Sequence, residues 1–319
     1  MSRPDPLPGS GSDRPPAGRP AAPWAARPGL VVPILVLLAA AAAGLQYARG
    51  RAYEARPVAQ TVLYVPSGAA LQRVALSFDS ALADLYWMRA VQHYGRTRRA
   101  AAAGRYELLQ PLLEIVTTLD PRFDVAYRLG AILLAEAHPH GPGRPDQAVA
   151  LLEKGLRARP GRWQYLHDIG FVHYWWLQDY ETAAHWFERA SEAPGAPWWL
   201  RSLAADTLVR GGDRRGSRAL WRQVYGTADN PWLRAEAERR LLQLDALDEI
   251  DAYTAAVDRF ARRTGRPPSA WAELLPDGQV GPLDPAGHPY TLQRGAGVVS
   301  VAPESPLFPL PAGPGATAP

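Results

Sequence analysis

The chain has 319 residues, 47% of them hydrophobic, with 32 Pro, 28 Gly and no Cys. The lack of Cys excludes disulfides, thiolate metal sites, a cysteine nucleophile and an acylated lipoprotein cysteine. The formal charge is +4 and Lys154 is the sole lysine, so the basic charge is arginine and reads as coding bias rather than as the mark of a polyanionic partner.

Residues 1–28 are rich in Pro, Gly, Ser and Arg and are predicted to be disordered. Residues 29–46, GLVVPILVLLAAAAAGLQ, carry no charge. As a helix rising about 1.5 Å per residue, this run reaches the lower end of a membrane span. Pro33 falls in the first turns, where it is tolerated. The run is therefore predicted to be a transmembrane signal anchor. Ala41-x-Ala43 also admits a cleaved signal peptide, and the sequence leaves both open. Arginines flank the run on both sides, so their count barely orients it. A short N-terminal tail generally stays in the cytoplasm, which places the remainder in the periplasm. Residues 47–69 read as a linker.

The next stretch, 70–248, reads as helical hairpins. A first, irregular pair is predicted over 70–94 and 106–118. Ala126, Leu129, Gly130 and Leu133, then Ala148, Leu152, Gly155 and Pro160, outline a second pair. The extra residues at His138–Gly143 fall in the loop between its helices. Leu166, Ile169, Gly170, Ala183, Phe187 and Pro194 outline a third. Leu200, Leu203, Ala204, Ser217 and Trp221 each lie 34 positions beyond a counterpart in that third pair. Small residues at Gly170, Ala204, Ala183 and Ser217 let two helices approach, and Phe187 and Trp221 fill the space between them. One such pair cannot bury its own apolar face, so pairs must stack.

This pattern, L-x2-[LI]-G … A-x3-F … P at a 34-residue period, resembles the tetratricopeptide repeat family in its membrane-anchored bacterial form. The resemblance implies a mainly α fold, an α-solenoid of about four hairpins, with Gly130, Ala148, Gly170, Ala183, Phe187, Ala204 and Trp221 as structural signature. It also implies a concave face, lined by first-helix residues, that holds a protein partner. Tyr165, Asp168, Tyr174 and Trp175 are the residues expected there.

Residues 249–302 change character: a helix over 250–263, a Gly-Arg-Pro-Pro turn, a short turn at Trp271–Leu275, then Asp-Pro-Ala-Gly-His-Pro-Tyr before a hairpin of residues 290–293 and 297–301. This order resembles the C-terminal part of the major pseudopilin of type II secretion and predicts a small α+β module. The Asp, Pro and Gly positions also follow from turn geometry alone. The pseudopilin's Glu near the start of its apolar helix is missing from residues 29–46, so the chain is not itself a pilin. Residues 303–319 read as a low-complexity tail.

The seven His, including the His138/His140 pair, form no metal-ligand spacing. Asp79 and Asp84 share a helix without a nucleophile or base and read as helix-capping or ion-pairing partners of Arg73 or Arg89. No catalytic motif is present, so no catalytic residue, cofactor or metal is expected. The eleven Trp read either as core or as an aromatic groove. The expectation is a non-catalytic envelope scaffold with protein partners, serving pilus or secretion machinery. A carbohydrate-binding protein with exposed Trp, or an enzyme with an unrecognised site, are the alternatives. Nucleic acid is not an expected partner.

Overall fold

The computed structural model describes residues 28–54, 67–100, 105–275 and 281–313. The chain forms two units, 1–64 and 65–319. The first contains α1 (Pro28–Glu54). This helix covers the uncharged run and extends into the stretch read as a linker. Ile34, Leu35, Val36, Leu37, Leu38 and Leu45 on it are all more than half exposed. Among the described residues no helix is long and apolar enough to cross a membrane. Nearly all of the N-terminal tail, and most of the stretch read as linker after α1, lie outside the described residues.

The second unit is mainly helical with one small antiparallel sheet. Its helices are α2 (Gly68–Val74), α3 (Asp79–Arg99), α4 (Leu109–Leu119), α5 (Asp124–Ala135), α6 (Pro145–Ala158), α7 (Trp163–Val172), α8 (Tyr180–Glu192), α9 (Trp199–Gly211), α10 (Arg214–Thr227) and α11 (Pro231–Thr264). From α3 to α11 each helix packs on the next in sequence, and α4 also touches α6 and α5 touches α7. Helices that pack across such short connections run antiparallel.

The starts and stops are local chemistry. Asp179, Asp213 and Asn230 cap α8, α10 and α11 by accepting backbone N–H bonds from Thr182, Gly216 and Trp232. Left-handed Gly212 and Gly265 end α9 and α11.

The close approaches fall where small residues were read. A Cβ on Gly170 would sit 2.6 Å from Phe187 Cε1 and 3.1 Å from the Ala183 carbonyl oxygen. One on Gly130 would sit 2.9 Å from Leu113 Cδ2. Ala148, Ala183 and Ala204 are fully buried, and Phe187 and Trp221 nearly so. The apolar core runs in consecutive clusters through α3–α7 and through α8–α11, with a smaller one joining α7, α8 and α9.

Three features depart from the sequence reading. The first predicted helix is broken into α2 and α3 by a turn at Leu76 and Ser77, both at positive φ. Gly68 seats against Thr118, and the Gln72 side-chain amide donates to the Thr118 carbonyl at 2.6 Å. With α2 tied to the end of α4 in this way, the chain must turn before α3 can pack. Second, the boundary drawn at residue 248 falls inside α11, which runs unbroken for 34 residues. No Gly or Pro interrupts it after Pro231, so its first half packs on α10 while its second half carries the C-terminal module.

Third, the described part of the tail is packed. Leu307 is buried, and the buried Gln243 amide donates to the carbonyls of Leu307 and Pro309 at 2.8 and 2.9 Å. The hairpin itself, β1 (Tyr290–Gln293) with β2 (Val298–Val301), forms as expected, pairing Tyr290 with Val301. Asp284 shapes the turn before it by accepting from Ala286 and His288 N–H groups, both at 2.9 Å.

Candidate functional site

Helix α7 presents two faces. Tyr165, Leu166, Ile169, Gly170 and Val172 point into the core. Trp163, His167, Phe171 and Trp175 repeat every four residues beside that face; the first three are half-buried, Trp163 packs on the Leu166, Ala190 and Leu200 cluster, and the His167 ring lies 5.5 Å from that of buried Phe187. Their rings form a ladder. Trp163 meets His167 edge-on at 6.4 Å. His167 and Phe171 lie nearly parallel at 6.4 Å and 16°, and Phe171 and Trp175 at 6.2 Å and 12°. Trp199 at the start of α9 closes one side, edge-on to Trp163 and His167 at 6.3 and 5.7 Å.

The end of the ladder depends on an unusual turn. After Val172 the helix widens into a single π-helical turn, His173–Leu177, which closes at left-handed Gln178. Such a turn rotates consecutive side chains away from their α-helical directions. The adjacent tryptophans point apart. Trp175 stacks on Phe171 and stays 62% exposed, while Trp176 turns half-buried with its ring edge-on to Phe171.

The flanks are polar and paired. Arg128 on α5 holds Asp168 through two hydrogen bonds, from Nε to Oδ2 and from Nη2 to Oδ1, and His167 Nδ1 lies 3.0 Å from Oδ1. The hydrogen bond to Asp168, together with its charge, outweighs burial and raises the Arg128 pKa. Arg210 on α9 donates to the Tyr174 hydroxyl at 2.7 Å and lies over the rings of Tyr174 and Tyr180. On α5, Val125, Leu129 and Ile132 are exposed.

The four residues expected on a partner-binding face therefore separate. Trp175 is accessible. Tyr174 is half-buried and engaged with Arg210, and Asp168 is mostly buried and engaged with Arg128. Tyr165 has no exposed surface: its hydroxyl donates to Asp124 and its ring packs on Tyr127. It is a core residue and offers nothing to a partner in this conformation. His167 and Phe171 belong to the ladder and were not singled out for it from sequence; their spacing from Trp163 and Trp175 is the signal that would have found them.

The tryptophans divide between core and surface. Trp221 is buried, Trp87, Trp163, Trp176, Trp186 and Trp271 are half-buried, and Trp175, Trp198, Trp199 and Trp232 are exposed. Trp198 and Trp232 flank a cleft of about 350 Å³ that Pro197, Arg201 and Asp229 also line. Their rings meet at 5.9 Å and 81°, edge to face, so the cleft offers no parallel platform.

Elsewhere, candidate chemical groups serve the fold. The hydroxyls of Tyr94 and Tyr106 pin the His138–His140 loop by donating to the carbonyls of His140 and Pro139. Asp79 and Asp84 form no ion pair with Arg73 or Arg89 among the described residues. Arg214 and Arg218 on α10 bind Asp245, Asp248 and Asp251 of α11 at 2.6–3.0 Å. Among the described residues no group of three or more His, Asp or Glu could hold a metal ion. No family model, curated protein or solved structure matches the chain.

Proposed function

We propose that the chain is a non-catalytic scaffold, tethered to the bacterial envelope by α1, whose tetratricopeptide-like hairpins hold a protein partner on the aromatic face of α7. The carrying observation is that the ladder ends in a Trp that is 62% exposed yet fixed by stacking on Phe171. Rigid aromatic side chains give large contact area at low entropic cost, and Trp, Tyr and Arg dominate binding hot spots. The neighbouring Asp168 and Tyr174 are occupied by Arg128 and Arg210, so the face offers shape and apolar area rather than a reactive pair.

The sequential packing of α3 to α11 and the fit of Gly170 on Phe187 support reading the helices as stacked hairpins. In this reading they form a solenoid of about four units, and α11 with the β1–β2 hairpin covers its end. In this reading the uncharged run 29–46 within α1 is the single-pass anchor, and the repeats lie on the periplasmic side. The pseudopilin-like order of the C-terminal module points to pilus or secretion machinery as the setting.

Trp175→Ala tests the reading. Partner capture from solubilised membranes should fall by roughly tenfold or more, the loss expected of a hot-spot aromatic. Thermal unfolding should barely change, because surface truncations generally fall within about 0.5 kcal/mol. Undiminished capture by a normally folded variant would contradict it.

A further inference from the structure

The turn between α2 and α3 carries three apolar side chains into solvent. Val74 is 68% exposed, Leu76 81% and Phe78 69%, with buried Ala75 between them. Leu76 is the most exposed large apolar side chain among the described residues. The turn closes by the Phe78 N–H donating to the Ala75 carbonyl at 2.8 Å. Both central residues have positive φ, 47° at Leu76 and 73° at Ser77.

This is the primed kind of tight turn, which Asn and Gly adopt freely and which crowds the Cβ of a leucine. Local backbone preference disfavours Leu76, and so does its exposure to water. An apolar surface outside the chain accounts for both. The turn is also held from behind. Gly68 and Gln72 fix α2 on Thr118, while Ala83 and Tyr86 fix α3 in the core. The three side chains therefore form a supported knuckle.

We propose that this knuckle dips into the surface of a lipid bilayer, so that the helical unit lies against the membrane. The proposal builds on the reading of α1 as the anchor. Residues 55–67 separate α1 from α2. At about 3.4 Å per residue they span at most roughly 45 Å, which keeps the knuckle within reach of that membrane. Exposed Arg73 and half-buried Asp79 bracket the three apolar residues. They set a shallow depth, with Arg73 at the anionic headgroups and only Val74, Leu76 and Phe78 below them. Asp84, exposed further along α3, stays in water.

The chain has no Cys, so a single introduced cysteine reports one place. Leu76→Cys carries an environment-sensitive fluorophore in the full chain, reconstituted into phosphatidylcholine–phosphatidylglycerol vesicles. Leu37→Cys reports on α1, and Arg222→Cys, exposed on α10, reports on solvent. Nitroxide lipids labelled near the headgroup should quench the probe at 76 at least about twofold more than the probe at 222, as an interfacial apolar contact requires, and lipids labelled at the acyl mid-chain should quench the probe at 37, the middle of the proposed span. Quenching at 37 with none at 76 overturns the knuckle and leaves the anchor reading intact. Quenching at 76 with none at 37 supports the knuckle and overturns the anchor. A blue shift at 76 that rises with protein concentration and ignores nitroxide lipids means a second copy covers the turn, which also overturns the proposal. Leu76→Asn, better suited to φ of 47°, provides the second variant: with the probe moved to Phe78→Cys, quenching should drop while thermal stability holds or rises.

Discussion

Phe187→Ala should cost about 3–5 kcal/mol of stability, the usual loss for truncating a fully buried phenylalanine. Gly170→Ala alone should also destabilise, by about 1–3 kcal/mol, because the new methyl would sit 2.6 Å from the Phe187 ring. The double variant should behave differently from the sum. With the ring gone, the methyl enters the vacated space and alanine gains its helix preference over glycine, worth up to about 1 kcal/mol. Gly170→Ala should therefore cost less in the Phe187→Ala background, a coupling of about 1 kcal/mol or more, with the 3.1 Å approach to the Ala183 carbonyl oxygen as the part that remains. Chemical unfolding of the four chains measures it. Simple additivity would mean that the α7–α8 hairpin does not close at this pair.

Asp124→Ala should cost about 3 kcal/mol, because one carboxylate satisfies three donors at the start of α5. Arg159 Nη1 donates to Oδ1 at 2.8 Å, Arg162 donates to Oδ2, and the buried Tyr165 hydroxyl donates to Oδ1. Burial alone would raise the Asp124 pKa, but the Tyr165 hydroxyl and the charges of Arg162 and Arg159 outweigh it, and the net displacement is downward. The folded state thus binds this proton more weakly than the unfolded chain. The stability it contributes is fully present above the ordinary Asp value of about 4 and disappears as pH falls through the lower folded value. Unfolding free energies measured from pH 7 to pH 2 should converge for the two chains at the acid end. A gap that stays constant across this range would place the cost in lost packing rather than in the charge.

What the sequence made legible was the spacing of small and large residues. Gly170, Ala183 and Phe187 meet, as a 34-residue hairpin pattern requires, and the β1–β2 hairpin pairs as its turn residues suggest. Tyr165 was misplaced because it was chosen as an aromatic on the right helix rather than by helical phase. It lies about 200° around the helix from half-buried Trp163 and His167 and falls on the fully buried arc with Ile169 and Val172. The break at Leu76 and Ser77 had no Gly or Pro to announce it; it follows from Gly68 and Gln72 docking on Thr118, a contact across 46 positions in the case of Gln72. The π turn after Val172 is equally silent in sequence. The Pro-rich tail reads as featureless by composition. Leu307 and the carbonyls that Gln243 binds are individual contacts that composition does not record.

The decisive measurement is site-specific photo-crosslinking in native membranes, with a benzophenone side chain placed in turn at Trp175 on the ladder and at Arg222 on α10. A face that holds a partner should give one adduct of defined mass from position 175 and none from position 222. No adduct at 175, or the same smear at both positions, would contradict the scaffold reading.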